Sequence, residues 1–500
     1  MIEEPIGSIW LKKQYKLSNI RLSHESYLGT RSKVEVFPDG TVIETFQKRH
    51  YALKTDKSVS HFEFALKYDD VQLSLFQAVL KSVPVKEIIE FIKSAPNFKY
   101  SRKIGFWYEF LTGERLPIED RPNINYIDLI DSKLYFTGLK VKNSRWRINN
   151  NLLGDRDYCP TVRRTQSILK VLSFDFSKTL NKIAQSYPPE ILRRANNYLY
   201  KKETRSSYQI EGEEPSTERL ERFTGLLSDA GKQDIGELLS KESLVLLQNQ
   251  IVDQRFIAEG FRDFQNYIGQ ATLNYDEIIH YICPPPQFLA DLMVGLSKSA
   301  IKMEGVYPIV RAAAVAFGFV FIHPFEDGNG RIHRFLIHDI LSRNGFLPSG
   351  MIIPVSAHLV NNLKQYDDAL EAYSKPLMKI IRYSKNEEQK LLVLNASEVE
   401  GYYRFPDLTT QTEYLCSVIE TAVFHDLPDE LNFLQNYDEA KALMKQLVDM
   451  PDRLIDLFIR FTHQNQGIFP KRRRSTFQIL KDNEIEALQS IYKDVFTIEN

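Results

Sequence analysis

From Ile309 to Ile322 the chain is apolar on almost every side of a helical wheel, with Val310, Ala312 to Ala316, Phe317, Phe319 and Val320 leaving no polar face. A helix of that kind has to be enclosed, so the pattern predicts a central core helix, broken at Pro324. A second helix is predicted from near Arg331 through Phe335, Leu336, Ile340 and Leu341. Val71 to Ile92 reads as two helices split at Pro84, and Ile104 to Leu111 as an aromatic-rich helix ended by Gly113. Further on, Asp438 to Val448 and Asp452 to Phe461 are amphipathic. A last helix begins near Asp482 and carries Ile485, Leu488, Ile491, Tyr492 and Val495 on one face. Strand patterns are few. Tyr126 to Ile130 and Lys133 to Phe136 predict a hairpin turned at Asp131-Ser132. Phe261 to Gly269 and Ile278 to Tyr281, joined by a polar turn, predict another, followed by Cys283-Pro284-Pro285-Pro286. The expected fold is mainly α, with an N-terminal α+β unit over 1–177 in which a small β wing suggests a winged-helix arrangement. A helical unit over 178–385 and a C-terminal helical unit over 386–500 follow.

Composition narrows the class without deciding it. A chain of 500 residues exceeds one ordinary core, and 43% hydrophobic residues support ordered globular structure. The net charge of −1 argues against a chain-wide surface for polyanions. Cys159, Cys283 and Cys416 form no spaced metal or redox motif and suit a reducing compartment as free thiols. Met1-Ile2-Glu3-Glu4-Pro5 carries no basic and apolar leader, and no apolar run reaches bilayer length. A cytoplasmic protein without membrane contact is expected. Arg145-Trp146-Arg147, Arg163-Arg164 and Lys471-Arg472-Arg473-Arg474 keep nucleic acid or an acidic partner open, although ordinary surface charge around a packed tryptophan suffices for the first two.

The chemistry concentrates in His323-Pro324-Phe325-Glu326-Asp327-Gly328-Asn329-Gly330-Arg331-Ile332-His333-Arg334. The core helix delivers His323 at its C-terminal end, where a neutral imidazole can take a proton from a hydroxyl. Gly328-Asn329-Gly330 allows successive main-chain N–H groups to face one concavity, and the start of the next helix adds partial positive charge there. Asp327 offers a hard oxygen to one Mg²⁺ or Mn²⁺. Asn329 and the two glycines can bond an α-phosphate, and Arg331 and Arg334, three apart on one helix face, can grip the outer phosphates. Phe325 is expected beneath the loop. His333 and His338 are five apart, not the four that would stack them, and read as core or surface residues.

This run resembles, without a gap, the H-P-F-x-D/E-G-N-G-R-x-x-R signature of the Fic family. The resemblance implies a Fic-type helical core with a small β-hairpin flap, and a nucleotidyltransferase activity that moves AMP from ATP to a protein hydroxyl. Upstream, Ser207-Tyr208-Gln209-Ile210-Glu211-Gly212 resembles the family's inhibitory S/T-x-x-x-E-G/N motif, on a helix near 200–212. Ser207 and Glu211 share a helix face, Gly212 suits the helix end, and docking on the nest would let Glu211 pair with Arg334. Asn266, Tyr267, Ile268 and Gly269 with Ile279, His280 and Tyr281 match the flap, which in the family aligns a target segment by strand addition. Ser356 to Leu370 resembles the final family helix, and Tyr366 is the candidate for stacking on adenine, although Asp367 stands where a second tyrosine is usual.

Two function classes follow. The first is a Mg²⁺-dependent, self-inhibited protein adenylyltransferase acting on Ser, Thr or Tyr hydroxyls of other proteins and of itself, with AMP removal as a variant and a homodimer as one assembly. The second is a regulatory protein that only senses nucleotide. A Doc-like kinase would need lysine where Gly330 stands. With His323 and both arginines present, the enzyme is the expectation.

Overall fold

The computed structural model describes every residue except 1–2, 18–19, 38–39, 121–123, 272–276, 387, 389 and 497–500, and it leaves the side chains of Ala271 and Asn344 undescribed. Helices dominate, as the periodicity predicts. The helix Pro308–Ile322 is buried from Ile309 to Ile322 and lies at the centre of the largest apolar cluster. Pro286–Lys302, Asn329–Leu341 and Thr409–Thr421 pack around it. Burial of so many large side chains is the main stabilising term here, at about 25 cal/mol per Å² of apolar surface removed from water.

A second cluster fills the N-terminal region, from Ile9 to Cys159, with Phe405 joining it from afar. The split at Pro84 is present, as Leu73–Ser82 and Val85–Ser94, and Lys99–Thr112 ends on Gly113 at φ 78. A four-stranded sheet precedes them, in the order Glu4–Ile6, His24–Gly29, Val42–Gln47, Lys33–Val36. A third cluster, from Ala440 to Tyr492, is C-terminal, and Asp482–Val495 forms its last helix. The buried apolar residues from Val399 to Leu431, Phe405 apart, belong to the central cluster.

The hairpin expected over 126–136 does not form. Ile127–Asp128 pairs in parallel with Ile148–Asn150, which also pairs antiparallel with Val141–Asn143. Lys133 to Phe136 turn away, because the Asp131 carbonyl accepts from Leu134 and Tyr135, and Tyr135 bridges to Arg163. Partners distant in sequence win because Trp146 is fully buried beside that sheet, with Nε1 donating to Glu109 at 2.8 Å. Arg145 binds Glu109 and Asp120, and Arg163 binds Asp70, so these cations serve the fold. Arg474 likewise holds Asp482. Among the described residues no helix is long and apolar enough to cross a membrane. All three cysteines are buried free thiols.

Candidate active site

The core helix ends where the chemistry begins. His323 caps Pro308–Ile322 with φ 52, a left-handed conformation that costs a non-glycine residue energy and turns the chain sharply into the loop. Its Nδ1 lies 3.2 Å from the Val320 carbonyl. A carbonyl only accepts, so Nδ1 carries the proton and Nε2 is left as the basic nitrogen. Burial and then the nearby Arg262 guanidinium push the imidazole pKa down to about 4, so it is neutral at pH 7.

Arg262 is the fastener of this corner, and the sequence reading gave it no role. Its Nε donates to His323 O at 2.8 Å, its Nη2 to Pro284 O at 2.7 Å and its Nη1 to Phe264 O at 2.8 Å. One buried guanidinium therefore ties the base of the second hairpin to the histidine. No spacing rule marks it.

Gly328, at φ 91, caps the next helix, which starts at Asn329 rather than near Arg331. Asn329 is buried, with Oδ1 accepting from Phe325 N at 3.0 Å and Nδ2 donating to Phe325 O at 2.8 Å. That side chain locks the loop, and the main-chain N–H groups are what remain for an anion. Phe325 is fully buried beneath, edge-on to Phe261. Asp327 accepts from Gly328 N and from Arg331 Nη2, both at 2.6 Å.

The helix Pro189–Ile210 lies across this loop. Its C-cap is Glu211, and Gly212 follows at φ 70. Arg334, 1% exposed, donates through Nε to Ser207 Oγ at 2.8 Å, and through Nη2 to Ser207 O at 2.8 Å and Glu211 Oε1 at 2.7 Å. A Cβ built on Gly330 would overlap Glu211 Oε1, so the carboxylate sits against the nest and only glycine leaves room for it. One turn and then another back along the same face, Ser207 and Glu203 continue the contact. Glu203 accepts from His338 Nε2 at 2.7 Å and from the main chain of Ser356 and Ala357. Burial pushes the Glu203 carboxyl up, but His338 and the Ser356 bonds outweigh it and hold it below its ordinary value. Sequence reasoning missed Glu203, although its spacing of four from Ser207 was a signal.

His333 is completely buried, edge-on to Phe317 and stacked near Tyr366, and burial pushes its pKa down to about 3. Tyr366 is 5% exposed and flanked by His333 and Tyr414, so its ring is engaged within the protein. Among the described residues no group of three or more His, Cys, Asp or Glu side chains could hold a metal.

The second hairpin is present as Tyr267–Ala271 against Glu277–Ile282, antiparallel, with a bulge at Ile268/Gly269. Its turn, 272–276, lies outside the described residues. Ile268 and His280 are exposed, Tyr267 and Ile279 half-buried. Tyr281 points inward and its hydroxyl donates to Phe321 O. Asn266 reaches back to Phe325 O at 3.4 Å, linking the hairpin to the loop.

Residues 238–341 match the profile of the Fic/DOC family. The chain carries a Fic domain. The chain is 50% identical over 95 residues to protein adenylyltransferase fic-1 of Caenorhabditis elegans, a stretch that is 19% of this chain and 16% of that protein. Protein adenylyltransferase Fic of Drosophila virilis is 26% identical over 246 residues, 45% of this chain and 48% of that protein. A probable protein adenylyltransferase of Aquifex aeolicus is 25% identical over 176 residues, 31% and 52% of the two chains. The chain thus spans about half, or less, of the length of the curated relatives it matches. Of solved structures, a Fic family protein from Desulfovibrio desulfuricans has 16% identity and a TM-score of 0.36 over 67% of this chain and 86% of that one.

Proposed function

We propose that this chain is a self-inhibited protein adenylyltransferase, moving AMP from ATP to Ser, Thr or Tyr hydroxyls of target proteins and of itself. The observation that carries the reading is the Glu211 carboxylate lying against Gly330 and bonded to Arg334, an anion already seated where a phosphate would go.

Each residue then has a task. The target hydroxyl oxygen attacks the α-phosphorus, its proton passes to Nε2 of His323, and the bond to the β-phosphate oxygen breaks to release pyrophosphate. Main-chain N–H groups of the Gly328–Gly330 turn and the helix start behind them favour the charge that builds on the α-phosphate. Arg331 and Arg334 hold the outer phosphates in line. A lone carboxylate at Asp327 fits Mg²⁺ whose other ligands are phosphate oxygens and water, once Arg331 turns from Asp327 to phosphate. Mg²⁺ held there would neutralise charge on the leaving pyrophosphate. The exposed Ile268 and Ile278 beside a bulged, two-stranded hairpin suit strand addition by the target. Tyr366 would reach adenine only by parting from His333 or Tyr414. AMP removal, with Glu211 orienting a water, uses the same groups. The cytoplasm is the expected location.

The test incubates the purified full chain with labelled ATP, and in parallel with labelled GTP, UTP and CTP. Label on protein from ATP, strongest in Glu211→Gly, supports the reading; no transfer by wild type or Glu211→Gly with any nucleotide sinks it.

A further inference from the structure

Glu211 accounts for one of the two signature arginines. Arg331 is buried just as deeply and, besides Asp327, answers to another carboxylate. Glu213, the residue after Gly212, places Oε1 2.9 Å from Arg331 Nη2. Its Oε2 accepts from Arg219 Nη2 at 2.8 Å. Arg219 belongs to the helix Thr217–Ser228, outside both sequence motifs. The two guanidinium groups approach one ring, Tyr208, at 5.0 and 5.3 Å from its centroid, and the Tyr208 hydroxyl and Arg219 both donate to the Ile251 carbonyl. A carboxylate is therefore clasped between two arginines beside the nest.

The same corner has donors left over. Arg331 Nε and Nη1 and Arg334 Nη1 are buried without a hydrogen-bond partner. Buried guanidinium nitrogens rarely stay unsatisfied, so the corner is built for more anionic oxygen than Glu211, Glu213 and Asp327 supply.

We propose that Glu213 is a second inhibitory carboxylate, competing with a nucleotide's polyphosphate for Arg331 and Arg219, and that Arg219 binds polyphosphate once Glu213 withdraws. The inference rests on the nest taking polyphosphate, as proposed above. Release is local. Gly212 has open space around it and separates the two carboxylates, and the Glu213 side chain is 31% exposed, so it can swing to solvent. Glu203 and Ser207 meanwhile keep the helix docked. It follows that Glu211→Gly alone leaves Arg331 partly claimed.

The experiment is calorimetric titration of the full chain with inorganic tripolyphosphate, ATP and AMP, for wild type, Glu213→Gln, Arg219→Gln and the double variant. Glu213→Gln should tighten tripolyphosphate and ATP roughly tenfold while AMP is unchanged. Arg219→Gln in that background should remove part of the gain. Unchanged or weaker binding by Glu213→Gln at an unchanged Tm would overturn the proposal, since Glu213 would then be positioning Arg331 rather than blocking it. Should Glu213→Gln lower Tm, Glu213→Asp, which shortens the reach to Arg331 by a methylene, must give the same tightening or the proposal fails. Tripolyphosphate carries no AMP, so the two readings part cleanly. Tightening with no AMP transfer by Glu211→Gly sinks the transferase and leaves the gate; transfer by Glu211→Gly with no Glu213 effect sinks the gate alone.

Discussion

Arg334 donates from Nη2 to Glu211 Oε1 at 2.7 Å, across 123 positions of chain. The pair is lopsided: the guanidinium is 1% exposed and the carboxylate 34%. Removing the carboxylate leaves a buried cation seeking an anion, whereas removing the arginine leaves a carboxylate that water can reach. Inhibition of the kind proposed above would be lifted more easily from the glutamate side.

Glu211→Gly should therefore raise self-modification about tenfold or more. Arg334→Ala added to it should cancel the gain, because the freed guanidinium is what activation uses, and the two changes should be non-additive. Label incorporation by wild type, both single variants and the double variant decides this. A wild type as active as Glu211→Gly would make the helix ordinary packing.

His323→Ala should cut transfer by about 10²–10⁴-fold with nucleotide affinity nearly intact, since the imidazole acts on a proton that moves only in the reaction. With the His323 pKa pushed down to about 4, transfer by Glu211→Gly should stay flat from pH 7 to pH 5 instead of falling near pH 6.5. A fall centred near pH 6.5 would show that the histidine titrates as an exposed one.

Asp327→Ala should weaken ATP binding in the presence of Mg²⁺ and slow transfer, and EDTA should reproduce the loss in the parent chain. Full-rate transfer in EDTA would remove the metal from the scheme.

Acid should destabilise the fold through His333. Burial holds its folded pKa at about 3, against 6.5 as the ordinary value. Above pH 6.5 neither state is protonated and there is no effect. Between pH 6.5 and 3 the unfolded chain binds the extra proton, so stability falls as pH falls, at about 1.4 kcal/mol per pH unit for this one group. Urea unfolding as a function of pH should give a shallower acid slope for His333→Leu. An identical slope would mean that His333 is already protonated in the fold.

Glu203→Ala should cost about 3–5 kcal/mol, because it strands His338 and the Ser356 and Ala357 N–H groups in the interior. Denaturant midpoints would check it; a loss under about 1 kcal/mol would mean water takes the carboxylate's place.

What the sequence determined by itself was local. Twelve apolar positions among the fourteen from Ile309 to Ile322, on all sides of one helix, can only be a core, and the residues from His323 to Arg334 follow one another closely enough for their order to give the histidine, the turn and the arginines. The helix break at Pro84, the stop at Gly113 and the start at Asp482 were legible for the same reason: backbone dihedrals and capping act over a few residues. The tertiary structure alone decided whose partner each polar group became. It paired Ile127 with Ile148 rather than with its neighbours, gave the Asn329 side chain to Phe325, made Arg262 the brace of His323 and set Glu213 between Arg331 and Arg219. Asn329 with Phe325 and Glu213 with Arg219 are close in sequence, but the other pairings join segments 20 or more residues apart. Their free energy comes from desolvated contacts that exist only once the chain is closed, so no spacing along the sequence records them.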